Sequence, residues 1–179
     1  MNEPLRTATT NGHSLNVSGG SKEFMFTVGG NYRNFPGVMK GSDRNTYGGN
    51  VDVIYRKGRF NFSNRFNLNG TTADESPYGS FSLYSRANPY YKKYNEDGSI
   101  PKNLESSSDN GYGKYIVYNP LFDAQLNNIN NTKSNQFQNQ LNIEYRPTNE
   151  WRFSSSVNGS RSSSSNKTFL PPERTQFDE

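Results

Sequence analysis

The chain has 179 residues, a net charge of +4 and no cysteine, and only 33 of its residues are Leu, Ile, Val or Phe. That is too little for an ordinary close-packed core of this length, whereas the 14% aromatic content and the small net charge do not fit a disordered chain. The absence of cysteine excludes disulfide scaffolds, thiolate metal sites and Cys nucleophiles, and a single histidine, His13, argues against His-rich metal sites and Ser-His-Asp catalysis.

Alternation of apolar and polar residues predicts six strands, at about residues 13–18, 24–33, 46–56, 60–71, 134–145 and 151–163. The third of these shows the pattern most clearly, with Val51, Val53 and Tyr55 on one face and Asn50 and Asp52 on the other. Short turns join the strands into three hairpins. The predicted fold is therefore all-β, an antiparallel meander of about six strands.

The connections of the predicted sheet differ in length at its two ends. A basic four-residue turn separates Tyr55 from Phe60, and if these two residues pair, the apolar faces of their strands coincide. On the opposite side, residues 34–45 and 72–133 connect the hairpins. The second connection far exceeds the usual limit of roughly 12–15 residues for a loop without secondary structure, so we predict one long loop there.

Short turns on one side and long loops on the other are typical of an outer-membrane β-barrel, as are strands of about 10 residues with one apolar face. Aromatic residues cluster beside the short turns, as in the aromatic girdle of a membrane interface; they are Tyr55, Phe60, Tyr145, Trp151 and Phe153. Hairpins of a soluble protein can also carry such aromatics. Charges on the polar face fit a water-filled lumen and a solvated surface equally well.

Several segments, taken together and in order, resemble the SusC/RagA-type TonB-dependent outer-membrane transporters of Bacteroidota. They lie at 3–8 (EPLRTA), 13–20 (HSLNVSGG), 37–44 (GVMKGSDR), 75–82 (ESPYGSFS), 88–90 (NPY) and 119–122 (NPLF). The resemblance covers nearly the whole chain. It implies a plugged barrel of about 22 strands that imports oligosaccharides, or in some members peptides, with a SusD-like lipoprotein and the TonB complex as partners.

Against that family, we expect the chain to hold too few strands and to lack a plug domain, a TonB-contacting segment and a signal peptide. We therefore expect residues 1–179 to be a partial slice of a large transmembrane β-barrel, located in the outer membrane and in contact with its lipid. Residues 72–133 would form an extracellular loop. A fragment of this kind is not expected to transport anything alone. The open alternative is a β-rich surface module that binds glycans or acts as an adhesin.

The long loop holds the candidate functional residues, because aromatic rings with polar tips suit sugar rings or a partner protein. The candidates for contact with substrate or partner are Tyr84, Tyr90, Tyr91, Tyr112, Tyr115 and Tyr118. The same rings could instead pack the loop against itself. Tyr78 and Phe81 are expected to shape a turn or short helix, and Asn95–Ser99 is expected to form a β-turn. We predict no enzyme, no catalytic residue, no cofactor, no metal site and no nucleic-acid partner.

Overall fold

The computed structural model describes residues 3–107 and 115–178, and strands account for 58% of the described residues. The predicted all-β class and the six-stranded antiparallel meander are confirmed. The strands in chain order are β1 (Asn11–Gly20), β2 (Phe24–Pro36), β3 (Asp43–Lys57), β4 (Phe60–Asp74), β5 (Asn103–Ser107), β6 (Tyr115–Tyr118), β7 (Ile129–Tyr145) and β8 (Phe153–Phe169). Across residues 3–107 and 115–178, no helix is long and apolar enough to cross a membrane.

The large sheet has the order β1-β2-β3-β4-β7-β8, and β5 and β6 form a separate hairpin. Every main strand is three to five residues longer than the sequence pattern indicated, and β7 and β8 reach 17 residues each. Polar stretches rich in Asn and Ser weaken the apolar alternation at the start of β7 and at the end of β8, so the pattern alone starts β7 too late and ends β8 too early. β8 continues past residue 163, where the pattern had placed its end, and ends just before Leu170 and the two prolines that follow, which cannot donate to a ladder.

The β3–β4 hairpin corrects the predicted register. Lys57 pairs with Phe60 and Tyr55 pairs with Phe62, so the loop consists of Gly58 and Arg59 alone. Gly58 has a φ of +57°, which favours glycine and suits a two-residue hairpin. The shift is two residues, an even number, so the two apolar faces still coincide.

A second correction concerns the start of β8. Trp151 lies in the connection before this strand, which begins at Phe153. The Trp151 backbone N–H donates to the Thr148 hydroxyl at 3.3 Å, so the chain is still turning at that point.

Register places nearly all large apolar side chains of the sheet on one face, the apolar face. Val17, Val28, Val51 and Phe66 form one row across four strands. The members with large apolar side chains are Leu15, Val17, Phe24, Phe26, Val28, Tyr32, Tyr47, Val51, Val53, Tyr55, Phe60, Phe62, Phe66, Leu68, Ile129, Phe137, Leu141, Ile143, Tyr145, Phe153, Val157 and Phe169. Much of this surface is exposed, including Leu15 (71%) and Val157 (61%).

The opposite face, the polar face, carries rows of amide and hydroxyl side chains. One row runs Asn16, Gly29, Asn50 and Asn67, and a Cβ on Gly29 would lie 2.2 Å from the Asn16 Oδ1. Glycine at this position therefore leaves room for two asparagine side chains, Asn16 and Asn50, which close over the strand between them. The Arg65 Nε donates to Asp52 across β3 and β4 at 2.7 Å.

Apart from Gly29 and Gly70, the buried residues that the structure describes lie outside the sheet. The connection between β4 and β7, residues 75–128, folds into a small unit that we call the cap, and its described parts are 75–107 and 115–128. It contains α1 (Phe81–Ser85), the β5–β6 hairpin and α2 (Pro120–Gln125). The predicted loop 72–133 is thus shorter than expected and has secondary structure of its own. Tyr84 and Leu121, which are 8% and 3% exposed, are the buried apolar residues among those described.

Candidate functional site

Two short helices with side-chain caps organise the cap. Ser80 precedes α1, and its hydroxyl accepts a hydrogen bond from the Ser82 backbone N–H at 3.3 Å. Asn119 precedes α2, its Oδ1 accepts from the Leu121 N–H at 3.1 Å, and Pro120 follows at the position where a missing N–H costs nothing. The Asn-Pro-Leu-Phe sequence is therefore a helix start. The predicted short helix at Phe81 is confirmed.

Asn119 also joins the two halves of the cap. It is 1% exposed, and its Nδ2 donates to the Lys93 carbonyl at 3.0 Å while its backbone N–H donates to the Lys102 carbonyl at 2.8 Å. The Tyr84 hydroxyl donates to the Tyr78 carbonyl at 3.0 Å and lies 3.3 Å from the Pro120 carbonyl. These hydrogen bonds join α1, α2 and the segment before β5 into one packed unit.

Segments at both ends of the described chain hold the cap in place. At the front, Pro4 is buried, its carbonyl accepts from the Lys40 N–H at 2.8 Å, and the Glu3 carboxylate pairs with Lys93 at 2.9 Å. Near the C-terminal end, the Asp123 carboxylate accepts hydrogen bonds from the Thr175 backbone N–H at 3.0 Å and from the Thr175 hydroxyl at 2.8 Å. Asp123 therefore has a structural role.

The cap carries two adjacent open cavities whose walls share Ala87, Asn88, Tyr91, Leu104 and Pro120. The first has a volume of about 270 Å³ and is mainly apolar, with Pro4, Tyr84 and Leu121 in its wall. The second has a volume of about 460 Å³ and a mixed wall, and we call it the tyrosine cavity. Its wall includes Tyr91, Tyr115, Tyr118, Leu83, Val117 and Arg86.

The six tyrosines predicted as candidates fall into four groups. Tyr91, Tyr115 and Tyr118 come together around the tyrosine cavity. Tyr84 belongs to the buried core of the cap and lines the first cavity. Tyr90 is 90% exposed and lines neither cavity. Tyr112 lies outside the described residues.

Hydrogen bonding raises the pKa of Tyr91, and burial raises the pKa of Tyr84. The Tyr91 hydroxyl donates to the Glu105 carboxylate, and this bond, with a further one to Tyr115, raises the pKa of Tyr91 above its ordinary value. Burial, together with the nearby Tyr78 and acidic side chains, raises the pKa of Tyr84. Both phenols therefore stay protonated donors at neutral pH.

The predicted β-turn at Asn95–Ser99 is confirmed. The Gly98 N–H donates to the Asn95 carbonyl at 3.0 Å, and Gly98 has a φ of +84°. The Ser99 hydroxyl and backbone N–H both donate to Asp97, which holds the pKa of that carboxyl below its usual range. The Asp97 Oδ1 and the Asn95 carbonyl thus accept hydrogen bonds within the turn.

Sequence reasoning missed several residues of the tyrosine cavity, namely Leu83, Arg86, Leu104 and Val117. Helical spacing could have identified the first two, since Leu83 and Arg86 are three residues apart on one face of a short helix and its cap. Period-two alternation could have joined Val117 to Tyr115 on β6. Leu104 lies at a bulge in β5, so no periodicity identifies it.

The side chains of the tyrosine cavity are suited to binding a ligand. Three phenol rings provide flat apolar faces, and Arg86, Asn88 and the phenol hydroxyls provide hydrogen-bonding groups at the edges. Among the residues the structure describes, no group of three or more His, Cys, Asp or Glu side chains could hold a metal ion. No protein-family model matches the chain, and no curated protein matches it.

Proposed function

We propose that the chain is part of the β-barrel of an outer-membrane TonB-dependent transporter of the SusC/RagA type. In this proposal the apolar face lies against lipid, the polar face lines a water-filled lumen, and the cap lies at the extracellular mouth. The single observation that carries the proposal is a long antiparallel meander whose apolar residues form one exposed face. A soluble domain rarely leaves an apolar surface of this extent uncovered.

The spacing of aromatic rows supports this orientation. Phe60, Tyr145 and Phe153 form a row beside the short turns, opposite Lys57, and Tyr32 pairs with Tyr47 in a row nearer the cap. Lys57 and Tyr47 are about ten residues apart on β3, or roughly 33 Å at a rise of about 3.3 Å per residue. With a strand tilt of about 40°, the rows would lie roughly 25 Å apart along the membrane normal, the height of the apolar band of such barrels.

Hydrogen bonds of Tyr32 and Tyr47, in the row nearer the cap, also fit a membrane interface. The Tyr47 hydroxyl donates to the Asn135 Oδ1 at 2.6 Å, and the Tyr32 hydroxyl donates to the Asn45 Oδ1 at 3.0 Å. Both rings thus lie on the apolar face while their polar tips meet amide groups, the arrangement that favours tyrosine at interfaces.

Within this proposal the tyrosine cavity contacts the imported substrate, an oligosaccharide or a peptide. The SusD-like lipoprotein would cover the same extracellular side, and the TonB complex would drive uptake through the intact transporter. Tyr91, Tyr115 and Tyr118 are the residues that we assign to substrate or partner contact.

Cysteine scanning tests the lipid exposure directly, because the chain has no cysteine of its own. Single variants Val51→Cys and Val53→Cys report the apolar face, and Asn50→Cys and Asp52→Cys are matched controls on the polar face of the same strand. Each variant is refolded with phosphatidylcholine, labelled with a fluorophore, and exposed to brominated phosphatidylcholine. We expect strong quenching at 51 and 53 and weak quenching at 50 and 52. Equal quenching at all four positions would contradict the proposal.

The second candidate function is a surface glycan-binding or adhesin-like module. It is favoured by the tyrosine cavity and the amide-rich polar face, which suit sugar binding without any barrel. A module of this kind would be a monomer in detergent-free buffer, would unfold cooperatively and would show no quenching by brominated lipid. The transporter proposal predicts aggregation in the same buffer, because β1 and β8 are open edges of the sheet.

A further inference from the structure

The end of the sheet opposite the cap carries an excess of positive charge. It consists of the three connections 21–23, 58–59 and 146–152 with the strand ends beside them. Six basic residues, Lys22, Arg56, Lys57, Arg59, Arg146 and Arg152, stand there against three acidic ones, Glu23, Glu144 and Glu150. This end is therefore suited to an anionic partner.

Two of the three connections meet and form a cleft. The Arg146 N–H donates to the Arg59 carbonyl at 2.9 Å, which brings the second and third connections side by side. The resulting cleft has a volume of about 680 Å³, and its wall includes Arg56, Arg59, Arg146, Phe60, Thr148 and Asn149. Three guanidinium groups, a hydroxyl and an amide are donors that a phosphate group with several oxygens can use.

The positive charge of this cleft is only partly neutralised within the chain. Glu144, with an 18% exposed side chain, pairs at 2.7 Å with both Arg146 and Arg152, so its carboxylate is fully used. In the described part of the chain, no ion pair joins Arg56 or Arg59 to a carboxylate. These two guanidinium groups are available to a ligand.

The wall of the cleft extends over the end of the sheet from the polar face, where Arg56, Asn61 and Glu144 lie, to the aromatic row of the apolar face. Phe60 lies in the wall of the cleft and on the apolar face, and its ring stacks on Tyr145 with centroids 4.4 Å apart. Trp151 stacks on Phe153 at 6.3 Å beside them and is 63% exposed. A ligand that fits both surfaces has an anionic head and an apolar tail.

We infer that this cleft binds the phosphate-bearing headgroup of an anionic phospholipid, with Arg56 and Arg59 as the main contacts and Arg146 as the third. The acyl chains of that lipid lie along the aromatic row of Phe60, Tyr145 and Phe153. The inference rests on the proposed membrane location. It adds a lipid preference at the end of the sheet away from the cap.

The only tryptophan, Trp151, serves as a built-in reporter. Its backbone N–H donates to Thr148, a residue of the cleft wall, so the ring lies close to the proposed site. The full chain is refolded in non-ionic micelles doped with brominated phosphatidylglycerol or, at equal concentration, brominated phosphatidylcholine. We expect quenching of Trp151 at least about threefold stronger with the anionic lipid, an effect that 0.5 M NaCl reduces.

Variants assign the preference to the cleft. The double substitution Arg56→Gln with Arg59→Gln is expected to bring the ratio of the two quenching efficiencies close to one. Arg33→Gln, on β2, removes the same charge near the cap end and is expected to keep the preference. The assignment to this site would be overturned if the preference for the anionic lipid survived the double substitution. It would also be overturned if Arg33→Gln abolished that preference to the same extent.

The remaining outcomes separate the two proposals. Equal quenching by both lipids in the natural chain would overturn the lipid preference and leave the membrane proposal standing. Absence of quenching by either lipid would contradict the membrane proposal itself. Saturable binding of inorganic phosphate to lipid-free micelles, without any preference between lipids, would assign the cleft to free anions and overturn the headgroup inference.

Discussion

Substituting Asn119 with alanine tests whether the cap is the packed unit of this chain. The substitution removes the side-chain cap of α2, a loss worth about 1 kcal/mol. It also leaves the Lys93 carbonyl without its Nδ2 donor in a partly buried place, at a cost of about 1–3 kcal/mol. Together these losses predict a destabilisation of the cap by roughly 2–4 kcal/mol.

Hydrogen exchange followed by mass spectrometry measures this effect in peptides that cover 115–125. A loss of roughly 2–4 kcal/mol corresponds to exchange that is about 30- to 1000-fold faster if the cap opens locally. Asn95→Ala is the matched control, because Asn95 is an exposed asparagine of the same cap that bonds only within its turn. Equal exchange in Asn119→Ala and Asn95→Ala would refute the view that the buried Asn119 links the halves of the cap.

Two further predictions concern the sheet and the pH dependence of the cap. Gly70→Ala places a Cβ 2.1 Å from the Tyr47 ring, so we expect a loss of about 1–3 kcal/mol in unfolding free energy, measured by denaturant titration. Gly49→Ala is the control: its Cβ has its nearest neighbour 3.6 Å away, and we expect a nearly neutral effect in the same titration. The raised pKa of Tyr84 means that its stabilising contribution is complete below about pH 10 and is lost as the pH rises towards the folded-state pKa. We therefore expect near-ultraviolet circular dichroism to show loss of cap structure above pH 10 in the natural chain. The Tyr84→Phe variant should change less over the same pH range.

The sequence was most informative where one physical period governed a long segment. Alternation identified all six main strands, because a strand at an apolar boundary repeats every two residues, as Val51 and Val53 do. It failed at the ends of β7 and β8, where Asn and Ser occupy both faces and no contrast remains. It also misplaced the β3–β4 turn, since Tyr55–Phe60 and Tyr55–Phe62 pairings keep the same faces and differ only in loop length.

The cap was less predictable because its core depends on contacts between residues far apart in the chain. The Tyr84 hydroxyl donates to the carbonyl of Tyr78 and lies near that of Pro120, 36 residues away, which no local pattern reveals. Aromatic content did direct attention to this segment. It could not distinguish Tyr84, which is buried, from Tyr90, which is exposed, since both are tyrosines in the same polar stretch.

Reading the coding DNA on both sides of these 179 codons tests most directly whether the chain is part of a transporter barrel. We expect an open frame that continues upstream into a plug domain and downstream into further alternating strands, which would pair with the open edges of β1 and β8. In-frame stops on both sides, with a ribosome-binding site before Met1, would define a stand-alone product. That result would contradict the transporter proposal and leave the glycan-binding module as the function to test.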